Sequence, residues 1–177
     1  VAEYLLSKMV DTKQKNNALM IASQNGHLEV VKLLLSKGAN IDAKTKDKYG
    51  IDAENTALMS ASLNENLEIM KYLISKGANV NVKDSDGATA LMKASYYGNL
   101  EAVKSLVENG ADINARDNNG WTPIIWATRN LHIKIVEYLV SKGANINAKT
   151  KDGKTALGIA WSDDMIEPLI KLGAKYK

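Results

Sequence analysis

Residues 84–116 read DSDGATALMKASYYGNLEAVKSLVENGADINAR, and their landmarks return along the chain, so this stretch decides the fold. Asp84-Ser85-Asp86-Gly87 is turn chemistry, in which Asp bonds the backbone ahead of it and Gly supplies a positive φ. Thr89 suits the N-cap of a short helix carrying Ala90, Leu91, Ala94 and Ser95, whose small side chains allow close helix approach. Gly98 can end it in the left-handed conformation. A second helix is expected from about Asn99 to Glu108, with Leu100, Val103, Leu106 and Val107 on one face. Gly110 stops it, and Ala111–Ala115 is expected to return extended toward the next turn.

The landmarks repeat. Asn17-Ala18-Leu19, Thr56-Ala57-Leu58, Thr89-Ala90-Leu91, Thr122-Pro123-Ile124 and Thr155-Ala156-Leu157 follow at spacings of 39, 33, 33 and 33 residues. Gly38-Ala39, Gly77-Ala78, Gly110-Ala111, Gly143-Ala144 and Gly173-Ala174 keep step at 39, 33, 33 and 30. The chain divides into a half unit 1–11, units 12–44, 45–83, 84–116 and 117–149, and a terminal unit 150–177. Two short helices cannot bury their own apolar stripe, so neighbours must stack, which predicts one all-α solenoid domain over residues 1–177.

Composition agrees with a folded chain: 177 residues, 45% hydrophobic and 24% charged. No run approaches the ~18 apolar residues of a membrane span, and no membrane partner is expected. Without Cys there is no disulfide framework or thiolate nucleophile. The compartment is left open by this chemistry, with the cytoplasm the expected one. The net charge of +3 is dispersed without a single-sign block, which argues against nucleic acid as partner. No phosphate-cradling Gly-rich loop, Gly-x-Ser-x-Gly elbow or His-Glu-x-x-His motif is present, so no catalysis, metal or cofactor is expected.

The pattern resembles the ankyrin repeat, on Asp117-Asn118-Asn119-Gly120-Trp121-Thr122-Pro123, the Gly26–Leu35 run and Gly143-Ala144-Asn145-Ile146-Asn147-Ala148. The resemblance covers essentially the whole chain. It implies stacked antiparallel helix pairs with β-hairpin-like finger loops at about a right angle, and a concave surface that binds another protein. A non-catalytic interaction module, unidentified partner protein and monomeric chain are the resulting expectations; a structural spacer or regulatory segment of a larger protein is the alternative.

Several departures stand out. Met20, Met59 and Met92 occupy the place where the family has His, either as core filler or as a groove-lining stripe. Glu65 and Leu131 stand where the first helix usually ends on Gly. The finger at 45–55 is longer by six residues than those of the other repeats and reads either as an added contact through Tyr49 or as a tolerated insertion. Residues 1–8 match the second helix of a repeat whose first is missing, and Val1 is not an initiator Met; the chain is therefore expected to begin inside a larger protein or to have lost its start. The final pair loses three residues near Asp163 and Asp164, which N-capping would explain.

In the family, contacts come mainly from finger tips and exposed first-helix residues. Carried over by position, these are Asp86, Tyr96, Tyr97 and Arg116 in the third repeat, Asn118, Asn119, Trp121, Arg129 and Asn130 in the fourth, Lys151 in the fifth and Tyr49 in the long finger. Lys13 is the matching tip in the first. The chain has 21 Lys and two Arg, and both Arg fall in this set beside Tyr and Trp. That combination suits a hot spot, since binding energy concentrates in Trp, Tyr and Arg; covering of the finger bases is the other reading. Trp126 and Trp161 are expected in the helix packing, and His27 and His132 in structural roles.

Overall fold

The computed structural model describes residues 11–46, 54–64 and 66–175. Residues 1–10 of the half unit, Tyr49, Glu65 and most of the long finger lie outside the described residues. Ten helices and no strands occur among the described ones: α1 Thr12–Gln24, α2 Leu28–Ser36, α3 Ala57–Leu63, α4 Leu67–Ser75, α5 Ala90–Tyr97, α6 Leu100–Glu108, α7 Pro123–Arg129, α8 Ile133–Ser141, α9 Ala156–Ile159 and α10 Asp163–Lys171.

The helices pair within a repeat and stack between repeats. First helices pack in the order α1, α3, α5, α7, α9, and second helices α2, α4, α6, α8 stack beside them. The core is a continuous column from Leu19 to Ala174, built from Leu, Ile, Val, Met and small Ala. Met20, Met59 and Met92 are each 1% exposed; Met59 belongs to the column, while Met20 and Met92 lie buried at the floor of the cleft described below.

Local chemistry fixes the ends. The hydroxyls of Thr56, Thr89 and Thr155 accept from the backbone N–H three residues on. Thr122 makes no such bond, and Pro123, with no N–H to satisfy, opens α7 instead. Gly98 closes α5 at φ 82°. One repeat later Leu131 holds φ 61° in the same place, where a side chain is strained. The His132 ring covers Gly98 and donates from Nε2 to the Tyr96 carbonyl at 2.9 Å, which ties repeat four to repeat three. Asn66 does the equivalent for repeats two and one, donating to the Ser23 and Gln24 carbonyls.

Three expectations need correction. Asn17, in the place of the capping threonine, lies inside α1, which begins at Thr12 with Asp11 as N-cap; Lys15 stands where Gly87, Gly120 and Gly153 sit in later repeats, and the chain runs on as helix. Lys13 is therefore a first-turn helical residue and not a finger tip. Ala111–Ala115 is not extended, since Ala115 N–H bonds back to the Asp112 carbonyl at 3.1 Å. Asp163 and Asp164 lie inside the first turn of α10 behind Ser162 and favour the positive end of the helix dipole.

That turn carries a second seam. The Asn16 side-chain oxygen accepts from Asn40 N–H, Asn40 from Asp42, Asp42 from Asn79, Asn79 from Asn81 and Asn81 from Asp112. The series continues through Asn114, Asn145 and Asn147 to Lys175. Asn81, Asn114 and Asn147 also donate to the Gly110, Gly143 and Gly173 carbonyls, so at these three junctions one amide binds the next repeat through both its oxygen and its nitrogen.

Three consequences can be measured by denaturant unfolding and hydrogen exchange. Leu106→Ala, at a site 0% exposed, is expected to cost about 2–5 kcal/mol by opening a cavity. Leu131→Gly is expected to stabilise by about 0.5–1 kcal/mol, since relief of the left-handed strain outweighs the entropy glycine adds to the unfolded chain. Asn114→Ala is expected to cost about 1 kcal/mol and to speed exchange in residues 117–175 more than in 12–44.

Candidate partner-binding groove

The third and fourth fingers are short loops tied by one Asp each. In the third, Asp84 and Ala88 pair backbone to backbone at 2.9 Å, while the Asp84 Oδ1 accepts from the N–H of Asp86 and Ala88. In the fourth, Asp117 does the same for Asn119 and Trp121 at 2.8 Å. Thr150 takes this place in the fifth, where its hydroxyl accepts from Lys154 N–H. The Asp152 carboxyl at that tip is held below its ordinary value, first by the Thr150 hydroxyl and then by Lys154.

Neighbouring fingers are stitched side by side. Asn118 N–H donates to the Asp86 carbonyl at 2.8 Å and Lys151 N–H to the Asn119 carbonyl at 2.9 Å. The Asn118 amide reaches the Ser85 carbonyl, Lys83 reaches the Arg116 carbonyl, and Arg116 reaches that of Lys149. The finger row thus stands in register opposite the row of first helices.

Between the two rows lies a cleft of about 590 Å³, lined from Met20 and Gln24 in the first repeat to Asn119 and Trp126 in the fourth. Aromatic rings form its wall. Tyr97 meets Tyr96 edge-on at 4.8 Å between centroids, Tyr96 meets Trp126 edge-on at 5.6 Å, and Trp126 tilts against Trp121 at 4.5 Å. Arg129 lies over Trp121 at 5.2 Å, in the range of a cation–π contact. Tyr96 and Tyr97 are 40% and 58% exposed, a large apolar area left open to solvent.

Of the residues expected together from the sequence, Tyr96, Tyr97, Asp86 and Asn119 line this cleft, while Trp121 and Arg129 continue the row past Trp126 and line a neighbouring cleft. Asn130 anchors its amide on the Trp126 carbonyl at the far end. Arg116 and Asn118 are engaged with neighbouring fingers, and Lys151 is exposed on the finger edge.

Two tryptophans depart from the expected core. Trp126 is half-buried, joins Tyr96 to Trp121 and donates from Nε1 to Asp117 at 3.2 Å. It follows Lys93 by one period, and that spacing would have marked it as a groove position. Trp161 is 69% exposed. The three-residue loss stops α9 after Ile159, Ala160 turns extended, and Trp161 swings out with its Nε1–H on the Arg129 carbonyl at 3.3 Å. With Trp121, Arg129 and Lys154 it borders a second cleft of about 400 Å³.

Among the described residues, no cluster of three His, Asp or Glu side chains is placed to hold a metal, and no helix is long and apolar enough to cross a membrane. No curated protein matches the chain significantly. Family models do. The one described as "Ankyrin repeats (3 copies)" matches residues 42–117 and 114–177, and "Ankyrin repeat" matches residues 14–46. Repeat period, helix stack, stitched fingers and these matches agree, and the chain belongs to the ankyrin-repeat family.

Proposed function

We propose that the chain is a non-catalytic protein-binding module whose partner seats in the groove between the first helices and the fingers, centred on the row Tyr97–Tyr96–Trp126–Trp121–Arg129. Ankyrin repeats are generally protein–protein interaction modules and typically non-catalytic. The observation that carries the assignment of the surface is the aromatic wall itself. Tyr96 and Tyr97 stay exposed although the adjoining column could have buried smaller residues, and a cation is stacked at the end of the row. Rigid rings with two side-chain torsions lose little entropy on contact, so such a wall favours binding over solvation.

The groove is also formed before any partner arrives. Its two walls are held by the stitched finger backbones on one side and the helix column on the other, so association requires little backbone ordering. A footprint of about 1,600 Å² in total would be ordinary for it.

Affinity capture from a lysate of the source organism, with identification of the bound protein, supplies the partner for the test. Trp121 packs partly against the core, so Tyr97→Ala with Arg129→Ala is the cleaner disruption. The double variant is expected to weaken binding of that partner at least about 30-fold by calorimetry while its melting temperature stays within a few degrees of the parent. Unchanged affinity would place the contact elsewhere.

A further inference from the structure

The groove has a sign of charge opposite to that of the chain. The chain carries +3, yet the carboxylates and cations lining the cleft between the fingers and the first helices are Asp84, Asp86, Asp117 and Lys93. Lys93 Nζ lies 2.6 Å from the Asp84 carboxylate, and this pair cancels. Asp117, only 8% exposed, accepts two backbone N–H groups and the Trp126 indole N–H. All three donors are neutral. Asp86 stands exposed at the tip above it. Two carboxylates therefore face the cleft in excess of its one cation.

The repeat supplies its own template for what such a carboxylate accepts. Asp84 and Asp117 are equivalent positions 33 residues apart, and so are Lys93 and Trp126. In the third repeat the first helix sends a lysine across the cleft to the finger carboxylate; in the fourth the same place holds an indole, which leaves the carboxylate hydrogen-bonded without a cation from that position. The indole and the Tyr96 ring bring aromatic surface beside it. Carboxylates beside aromatic faces favour an ammonium or guanidinium and repel an acidic group, while the rings cover the methylene stem of a long basic side chain.

Resting on the groove as the contact surface, we infer that the cleft beside Asp117, Asp86, Tyr96 and Trp126 receives a lysine or arginine side chain from a basic segment of the partner. The cation takes toward Asp117 the part that Lys93 plays toward Asp84. Nucleic acid and acidic peptides are disfavoured by the same charges.

Selection of random dodecapeptides displayed on phage against the immobilised chain tests this. The enriched sequences are expected to share Lys or Arg at one position, and a synthetic peptide from the set is expected to lose at least tenfold in affinity when that residue becomes Met. Asp117→Asn is expected to lose a similar factor, but it touches the finger turn; Asp86→Asn, at an exposed tip, is expected to lose about threefold or more with an unchanged melting temperature. Peptides without a shared basic residue, or peptides indifferent to Asp86→Asn, overturn the inference. If those peptides still weaken with Tyr97→Ala and Arg129→Ala, the groove reading survives; if they ignore these changes too, both fall. No enrichment counts against the basic segment.

Discussion

Each pair of helices in this chain is too small to hide its own apolar stripe, and the whole architecture follows from that deficit. Val103 and Leu106 on α6 reach complete burial only because α4 and α8 flank that helix, and Leu91 on α5 only because α3 and α7 do. Burial at about 25 cal/mol per Å² of apolar surface is therefore a property of junctions and not of single repeats. The proposed function rests on the same geometry. A stack leaves one flank of first helices unpaired along its length, and the fingers rise beside that flank to make a trough.

Much of this could be read from residue order, because the signals are local. A capping threonine, a glycine with positive φ and a three-four apolar spacing act within one turn of chain, and Thr89, Gly98 and Leu106 do what their positions imply. The reading failed where one residue replaced another without disturbing the rest of the motif. Lys15 stands where a later finger has its glycine, and α1 gained six residues at its start. The polar seam through Asn40, Asn81 and Asn114 was visible as a motif but not as a bond, since its partners lie some thirty residues apart and only stacking joins them.

The aromatic row proposed as the contact surface was legible in outline for the same reason. Tyr96, Tyr97, Trp121 and Arg129 sit at periodic positions whose direction the repeat dictates. Direction does not settle occupancy. Arg116 points along the fingers and is engaged by a carbonyl of the next one, while Trp126 closes a gap that no single repeat reveals. Trp161 depended on a deletion whose effect was to shorten α9 to four residues and change the side to which the chain turns.

The joints made by Asn81, Asn114 and Asn147 are alike: one side-chain amide reaches into the next repeat, its oxygen accepting a backbone N–H and its nitrogen donating to a carbonyl, while Asp42 offers only the acceptor. A unit copied in tandem would arrive with both couplings already matched to its neighbours, needing no compensating substitution at either seam. Growth or contraction by whole units is thus chemically neutral at the joints, and an array of this kind can change its reach without relearning how to fold.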